Sequence, residues 1–292
     1  KKLRASYYFM SALLGRFKNV EMYFPGGCNI GKRPIDQTLK GFKALGATID
    51  EVENKYNIYA DELNGSVIDL DMPSVGATIN SIFASVKAKG ITTINNAAKE
   101  PEIGNVIDFL NKMGAKIRGK DTSCIKVEGV EFLSGCSIDV IPDRIEAGTY
   151  VILGALVGNN LKISKLVPEH IKALLNKLDE MGAKYLIHED SIIISKGTNL
   201  NSVNIKTEGY PGFATDLQQP ITVLLTQCNG ISILEETIYE NRFQNIEYLN
   251  KMGAKIKIVD RKIEINGYTG LFGEEVKATD LRAGACMVLA AL

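Results

Sequence analysis

"KMGAKI" occupies residues 112–117 and recurs unchanged at 251–256, with "EMGAKY" at 180–185 and "ALGATI" at 44–49 as close variants. The glycines of these four copies, Gly46, Gly114, Gly182 and Gly253, follow one another at intervals of 68, 68 and 71 residues. Self-similarity at a near-fixed period marks one structural module used repeatedly. Each glycine closes an amphipathic run, as in "IGNVIDFLNKMG" (103–114) and "HIKALLNKLDEMG" (170–182), whose apolar residues recur at helical spacing. Glycine is the expected helix C-cap there. The alternating β-rich text that follows, such as "AKIKIVDRKIEING" (254–267), predicts a strand, a tight turn and a second strand.

About half a period upstream of these helices lie runs that are apolar on nearly every side. They are "RASYYFMSALLG" (4–15), "VGATINSIFASV" (75–86), "IEAGTYVILGALVG" (145–158), "TDLQQPITVLLTQ" (215–227) and "TDLRAGACMVLAAL" (279–292). Helices of this composition are buried. A short strand follows each of the first four, so the repeat reads: buried helix, strand, polar loop, outer helix, β-hairpin. The fold class is α/β, built from helix-strand-helix-hairpin units of about 70 residues. "SIDVIPDRIEAG" (137–148) joins the second and third units, which divides the chain into expected domains 1–141, carrying the cysteine loop, and 142–292.

With 292 residues, 45% of them apolar, the chain can fill two cores of ordinary size. Thirty-four Lys plus Arg balance 34 Asp plus Glu, so no general positive field exists to hold a nucleic acid, and any anion must be bound locally. No apolar run approaches the ~20 residues that span a bilayer. The chain is read as cytoplasmic, without membrane insertion. Its five cysteines are widely spaced and only two histidines accompany them, so neither a disulfide framework nor a metal site is expected. Cys228 and Cys286 fall in apolar helical runs as small core residues, and Cys124 and Cys136 in short strand-like segments. Cys28 differs: in "YFPGGCNIGKRPID" (23–36) it follows two glycines and precedes Lys32 and Arg33, whose charges favour a thiolate.

Helix N-termini offer unpaired N–H groups and partial positive charge to phosphate or carboxylate. The fronts of the buried helices carry Arg4, Ser74 with Gly76, Asp216 and Arg282. Taken alone, an arginine there is more often a solvated or ion-paired residue, and Asp216 a helix N-terminal residue. His170 and His188 are read as surface residues. Glu100 and Glu102 suit either a substrate contact or an exposed position.

In order along the chain, "LRAS" (3–6), "PGGCNIGKRPID" (25–36), "PSVGATIN" (73–80), "NNAAKEPEI" (95–103), "IPDRIEAGTY" (141–150), "GFATDLQQP" (212–220), "ENRF" (240–243) and "ATDLRAGA" (278–285) resemble the enolpyruvyl transferases, in particular the branch that acts on UDP-N-acetylglucosamine. The resemblance implies a two-domain inside-out α/β barrel, each domain of three repeats with helices inside and sheet outside, closing on substrate between them. It implies transfer of the enolpyruvyl group of phosphoenolpyruvate to the 3'-hydroxyl of UDP-N-acetylglucosamine, with release of phosphate and no cofactor. That is the first committed step of peptidoglycan precursor synthesis, on which cell-wall biogenesis, cell shape and division depend. Carried over by motif, Cys28 is the reactive thiol, a general acid that can form an adduct with phosphoenolpyruvate and is alkylated by the epoxide fosfomycin. Asp216 is the candidate general base. Arg4, Arg33, Arg242 and Arg282 bind substrate, and Arg33, Pro34, Ile35, Asp36, Gln37, Ser74, Val75, Gly76 and Ile238 form the nucleotide-sugar pocket. Guanidinium suits these roles because it can bind phosphate or carboxylate through two parallel hydrogen bonds.

The chain departs from the family in lacking an N-terminal Lys-Asn pair that binds phosphoenolpyruvate and an arginine beyond the last helix, and Met72 stands where lysine is common. It opens inside one buried helix and stops inside another, which reads as truncation. The polypeptide by itself is therefore expected to bind substrates weakly and turn over slowly or not at all. The alternatives are the sibling activity on shikimate 3-phosphate, whose family does not carry the "PGGC" loop, and a non-catalytic nucleotide-sugar-binding remnant. Nucleic-acid processing on a related fold is disfavoured by the neutral charge.

Overall fold

The computed structural model describes residues 3–292; Lys1 and Lys2, at the head of the first expected domain, lie outside the described residues. The predicted repeat is present four times. In the first, a 3-10 turn (Arg4–Tyr7) leads into α1 (Tyr8–Phe17), followed by β1 (Asn19–Tyr23), α2 (Asp36–Ala44), β2 (Thr48–Val52) and β3 (Lys55–Tyr59). In the second, β4 (Val67–Asp69) precedes α3 (Val75–Ser85), β5 (Ile91–Asn95), α4 (Pro101–Lys112), β6 (Lys116–Arg118) and β7 (Cys124–Glu128). The third contains α5 (Arg144–Val157), β8 (Leu161–Ser164), α6 (Lys172–Met181), β9 (Tyr185–Ile187) and β10 (Ser191–Ile194). The fourth contains β11 (Ile205–Lys206), α7 (Gln218–Thr226), β12 (Gly230–Glu235), α8 (Ile246–Lys251), β13 (Ile256–Val259) and β14 (Lys262–Gly267), after which comes α9 (Leu281–Ala291).

Every repeat makes its own sheet in one pattern: the strand after the buried helix pairs antiparallel with the second hairpin strand, giving the orders β1-β3-β2, β5-β7-β6, β8-β10-β9 and β12-β14-β13. The second and fourth sheets gain a parallel edge strand, β4 beside β5 and β11 beside β12. Strand alternation is plain in β7, where Ile125 and Val127 enter the core between exposed neighbours. The outer helices all end alike. At Gly114 the backbone turns left-handed (φ 102°), the Gly114 N–H donates to Asn111 O and the Ala115 N–H to Leu110 O, which is a Schellman motif. Gly46, Gly182 and Gly253 repeat the same pair of bonds.

The chain forms two compact units. One contains residues 1–27 and 33–141, the other Cys28–Lys32 and Pro142–Leu292. Leu14, Phe42, Ile82, Ile94 and Ile125 are buried in the core of the first, around the packed pair α1 and α3. Val151, Leu178, Leu224 and Ile263 are buried in the second, where α5, α7 and α9 pack against one another and every residue of α7 is buried. Cys228 and Cys286 lie inside this second core as expected. Cys136 does not lie in a strand: residues 131–140 are irregular, because neither apolar alternation nor a partner strand holds them.

Candidate functional site

In the first unit the 3-10 turn before α1 brings together several of the predicted residues. Arg4 donates from Nη2 to the Arg33 carbonyl at 2.7 Å, and its guanidinium lies 5.3 Å from the centre of the Tyr7 ring. Gly27 has φ 126° and packs so closely that an added Cβ would stand 3.0 Å from Arg33 Nη1 and 3.1 Å from Arg4 Cβ. Ser74 caps α3, its Oγ accepting the Ala77 N–H at 3.3 Å. Gly76 follows in the first turn of α3, and the Tyr7 hydroxyl occupies the place a side chain would need, 1.4 Å from an ideal Cβ. Arg4, Tyr7 and Gly76 thus pack together at the front of α1 and α3. Val75 is half-buried beside them.

The rest of the predicted pocket starts α2. Pro34 and Asp36 are exposed, whereas the Ile35 side chain is buried in the first core, so only its main chain is open to a ligand. Gln37 is engaged within the protein: its Nε2 donates to Asp71 Oδ2 at 2.9 Å and to Asp36 at 3.0 Å, and its Oε1 accepts the Asp71 N–H. Glu100 is buried, against its reading as a possible surface carboxylate. It is the N-cap residue of α4, ahead of Pro101, and its side chain does not cap the helix.

In the second unit Asp216 stands in a 3-10 turn ahead of α7. Its carboxylate does not cap the helix. It binds two arginines instead, Arg242 Nη2 at 2.6 Å and Arg282 Nη2 at 3.4 Å. Arg242 is almost wholly buried, donates a further bond from Nη1 to the Thr215 carbonyl at 3.0 Å, and lies over the Tyr239 ring. Arg282 is placed by Asp280, which caps α9 through bonds to the N–H groups of Arg282 and Ala283. Burial pushes the Asp216 carboxyl up, but Arg242, then Arg282, with Arg144 further off, outweigh it and hold the group below the ordinary carboxylate range. Ile238, expected in the nucleotide-sugar pocket, is exposed on the same loop as Arg242. A cleft of about 250 Å³, lined in part by Arg144, His170 and Tyr210, reaches Ala214 and Leu217 beside Asp216. His170 is accordingly half-buried rather than on the open surface, whereas His188 is exposed.

The cysteine segment has no regular structure and is held by the loop after β12. The Lys32 N–H donates to Glu240 Oε1 at 2.7 Å, the Asn241 N–H donates to Ile30 O, and the side chains of Asn241 and Gln244 both donate to Asn29 O. Cys28 is exposed, while Ile30 is buried. Backbone N–H groups, its own and that of Lys32, hold the Glu240 carboxyl below its usual range. Sequence reading missed Glu240, Tyr7, Asp71 and Glu236. Of these, Glu240 stands in the "ENRF" motif; the others carry no spacing signal.

A family profile described as EPSP synthase (3-phosphoshikimate 1-carboxyvinyltransferase) matches residues 1–292. The chain is 52% identical, over all 292 residues, to "UDP-N-acetylglucosamine 1-carboxyvinyltransferase 2" of Listeria monocytogenes, spanning 69% of that protein. It is 51% identical over its whole length to the protein of the same name from Shouchella clausii, spanning 68% of it. Among solved structures, the enolpyruvyl transferase NikO from Streptomyces tendae superposes with a TM-score of 0.89 at 23% identity, covering 99% of this chain and 70% of the other. EPSP synthase from Acinetobacter baumannii gives 0.68 at 20% identity, covering 98% and 70%. At such identities the two structures speak for the fold.

Proposed function

Because the chain belongs to the EPSP synthase family of enolpyruvyl transferases, we propose that it moves the enolpyruvyl group of phosphoenolpyruvate to the 3'-hydroxyl of UDP-N-acetylglucosamine, in the synthesis of peptidoglycan precursors. The observation that carries this reading is the identity of about half of all 292 residues to transferases named for that acceptor. The shikimate 3-phosphate reading has the description of the family profile behind it, and structural neighbours at only 20% identity.

The chemistry needs a base for the acceptor hydroxyl and an acid for the enol carbon. Asp216 takes the hydroxyl proton as the acceptor oxygen bonds to C2 of phosphoenolpyruvate, and the Cys28 thiol supplies the proton that C3 gains. Loss of a C3 proton and cleavage of the C2–O bond to phosphate then restore the double bond, with no net redox change. Between two guanidiniums Asp216 is a weak base. Arg282, at 3.4 Å the looser partner, is the one an anionic substrate can take, and its departure raises the proton affinity of the carboxylate. Arg4, Arg33, Ser74, Val75 and Gly76, with Pro34, Asp36, Gln37 and the Ile35 main chain, bind the nucleotide sugar. Ile238 meets its sugar, and Arg242 and Arg282 meet phosphoenolpyruvate. The clustering of Arg4 and Arg33 around Gly27, and of Arg242 and Arg282 around Asp216, supports these roles. No described helix is long and apolar enough to cross a membrane. Five free cysteines support a reducing, cytoplasmic setting.

The experiment is intact-mass analysis after exposure to fosfomycin, with and without UDP-N-acetylglucosamine. One adduct, absent in Cys28→Ala and faster with the nucleotide sugar, is the expected result. Modification at another cysteine, or a rate indifferent to the nucleotide sugar, would overturn the assignment of Cys28.

A further inference from the structure

One buried carboxylate stands beside the proposed chemistry without a part in it. Glu236, the residue after β12, is 1% exposed. Its main chain is fixed on both sides by the turn between β13 and β14: its N–H donates to Arg261 O at 2.8 Å, and its carbonyl accepts Arg261 Nε at 2.9 Å. From this post the side chain reaches two loops. Oε1 accepts the N–H groups of Ile238 at 2.8 Å and Tyr239 at 3.0 Å, and Oε2 accepts the Thr215 hydroxyl at 2.8 Å. Thr215 immediately precedes Asp216, and its carbonyl receives the second guanidinium bond of Arg242.

A carboxyl group withdrawn from water is costly unless its oxygens are satisfied, and three directed donors both satisfy this one and fix its position. Here those donors come from the two segments whose separation matters most for the reaction: the one bearing Asp216 and the one bearing Ile238 and Arg242. The neighbouring Thr237 shows what a purely structural tie looks like. Its N–H and hydroxyl bond to the hydroxyl and carbonyl of Thr207 and not to the Thr215–Asp216 segment.

We propose that Glu236 is a positioning residue for enolpyruvyl transfer, holding the Thr215–Asp216 main chain at a set distance from the Ile238–Arg242 loop so that the carboxylate meets the acceptor hydroxyl. The inference rests on the reading of Asp216 as the base. Misplacement of a reacting group by about 1 Å can cost ~100-fold in rate. Loss of the clamp therefore lowers kcat, with a smaller effect on the KM of UDP-N-acetylglucosamine.

The test measures kcat, acceptor KM and melting temperature for Thr215→Val, Thr215→Ser, Glu236→Ala, Thr237→Val and Asp216→Asn, and for Thr215→Val combined with Asp216→Asn. Expected are a kcat loss of at least ~10-fold in Thr215→Val and up to ~100-fold in Glu236→Ala. Thr215→Ser, which keeps the hydroxyl, should recover turnover to within about twofold, and Thr237→Val should lower the melting temperature while leaving kcat within about twofold. Residues acting as one unit are non-additive, so Thr215→Val should cost less than about twofold more once Asp216→Asn is present. The positioning role is overturned if Thr215→Val melts early yet keeps its kcat, or if its effect is undiminished in the Asp216→Asn background. Wild-type turnover in Asp216→Asn alone would remove the base assignment and the inference with it. Loss in Asp216→Asn without loss in Thr215→Val would remove the inference only.

Discussion

Replacing Gly76 with alanine puts a methyl group where the Tyr7 hydroxyl already is. An ideal Cβ at this position stands 1.4 Å from Tyr7 Oη and 2.8 Å from Cζ, whereas real contacts do not fall below 3.0 Å, so the ring must retreat by more than 1.5 Å. Tyr7 is 6% exposed and its ring is hemmed in by Tyr8, 4.6 Å away between centroids, and by Arg4 at 5.3 Å. Overpacking of this kind costs about 1–3 kcal/mol, and the absence of free space favours the upper end, about 2–3 kcal/mol. In a unit of this size that is a fall of roughly 5–10 °C in melting temperature. Arg4 moves with Tyr7, so affinity for UDP-N-acetylglucosamine should fall as well. The assay is thermal unfolding by circular dichroism together with titration calorimetry. Tyr7→Phe removes the nearest atom but leaves Cζ inside the limit, so the double variant Gly76→Ala/Tyr7→Phe should lose less than the sum of its parts without regaining wild-type stability. A Gly76→Ala protein that melts and binds like the wild type would refute the packing of Tyr7 against α3.

Three further outcomes follow from the same geometry. Asp216 is held below the ordinary carboxylate range, so the stability it contributes is complete above about pH 4 and is lost as pH falls through its folded-state pKa. Asp216→Asn should therefore cost about 1–2 kcal/mol near pH 7, discounted because the side chain is partly exposed, and the gap should close in acid denaturation series below pH 4. Burial pushes the thiols of Cys228 and Cys286 up to about 12, so a thiol reagent counted by intact mass should label Cys28 and Cys124 in the folded protein and reach Cys228 and Cys286 only after unfolding. Gly114→Ala and Gly253→Ala disturb the same left-handed cap, but a Cβ at Gly114 meets open space while one at Gly253 falls 2.5 Å from Phe272. The first should cost about 1 kcal/mol in urea unfolding and the second clearly more.

The repeat was legible because it is written locally. A glycine after an amphipathic run dictates its own cap, and all four echoes end in the same pair of hydrogen bonds. Helices apolar all round had to be buried, and α7 is buried at every residue. The edge strands β4 and β11 were not legible: three and two residues long, they exist only through pairing with β5 and β12 across the chain. The strand-like reading around Cys136 failed for the converse reason, since a short apolar stretch without a partner has nothing to pair with.

The candidate site divides in the same way. Residue types pointed to Arg4, Asp216 and Arg282 at helix fronts, where charge at a terminus has a local meaning. Their partners are set by tertiary contact. Asp216 is joined to Arg242 from 26 residues away and Arg282 from 66, and Lys32 to Glu240 from 208 away. Glu236 could not be singled out, because "EETIYENRF" offers several acids and only the fold shows which one is buried among donors.

Phosphate release from phosphoenolpyruvate distinguishes the two candidate acceptors. The rate should be measured with UDP-N-acetylglucosamine and with shikimate 3-phosphate in turn, and the products identified by mass. Release that depends on UDP-N-acetylglucosamine, slow as expected of this polypeptide by itself, with an enolpyruvyl ether of that sugar as product and loss of the reaction in Cys28→Ala, is the predicted result. Release that depends on shikimate 3-phosphate, with the nucleotide sugar inert, would contradict it.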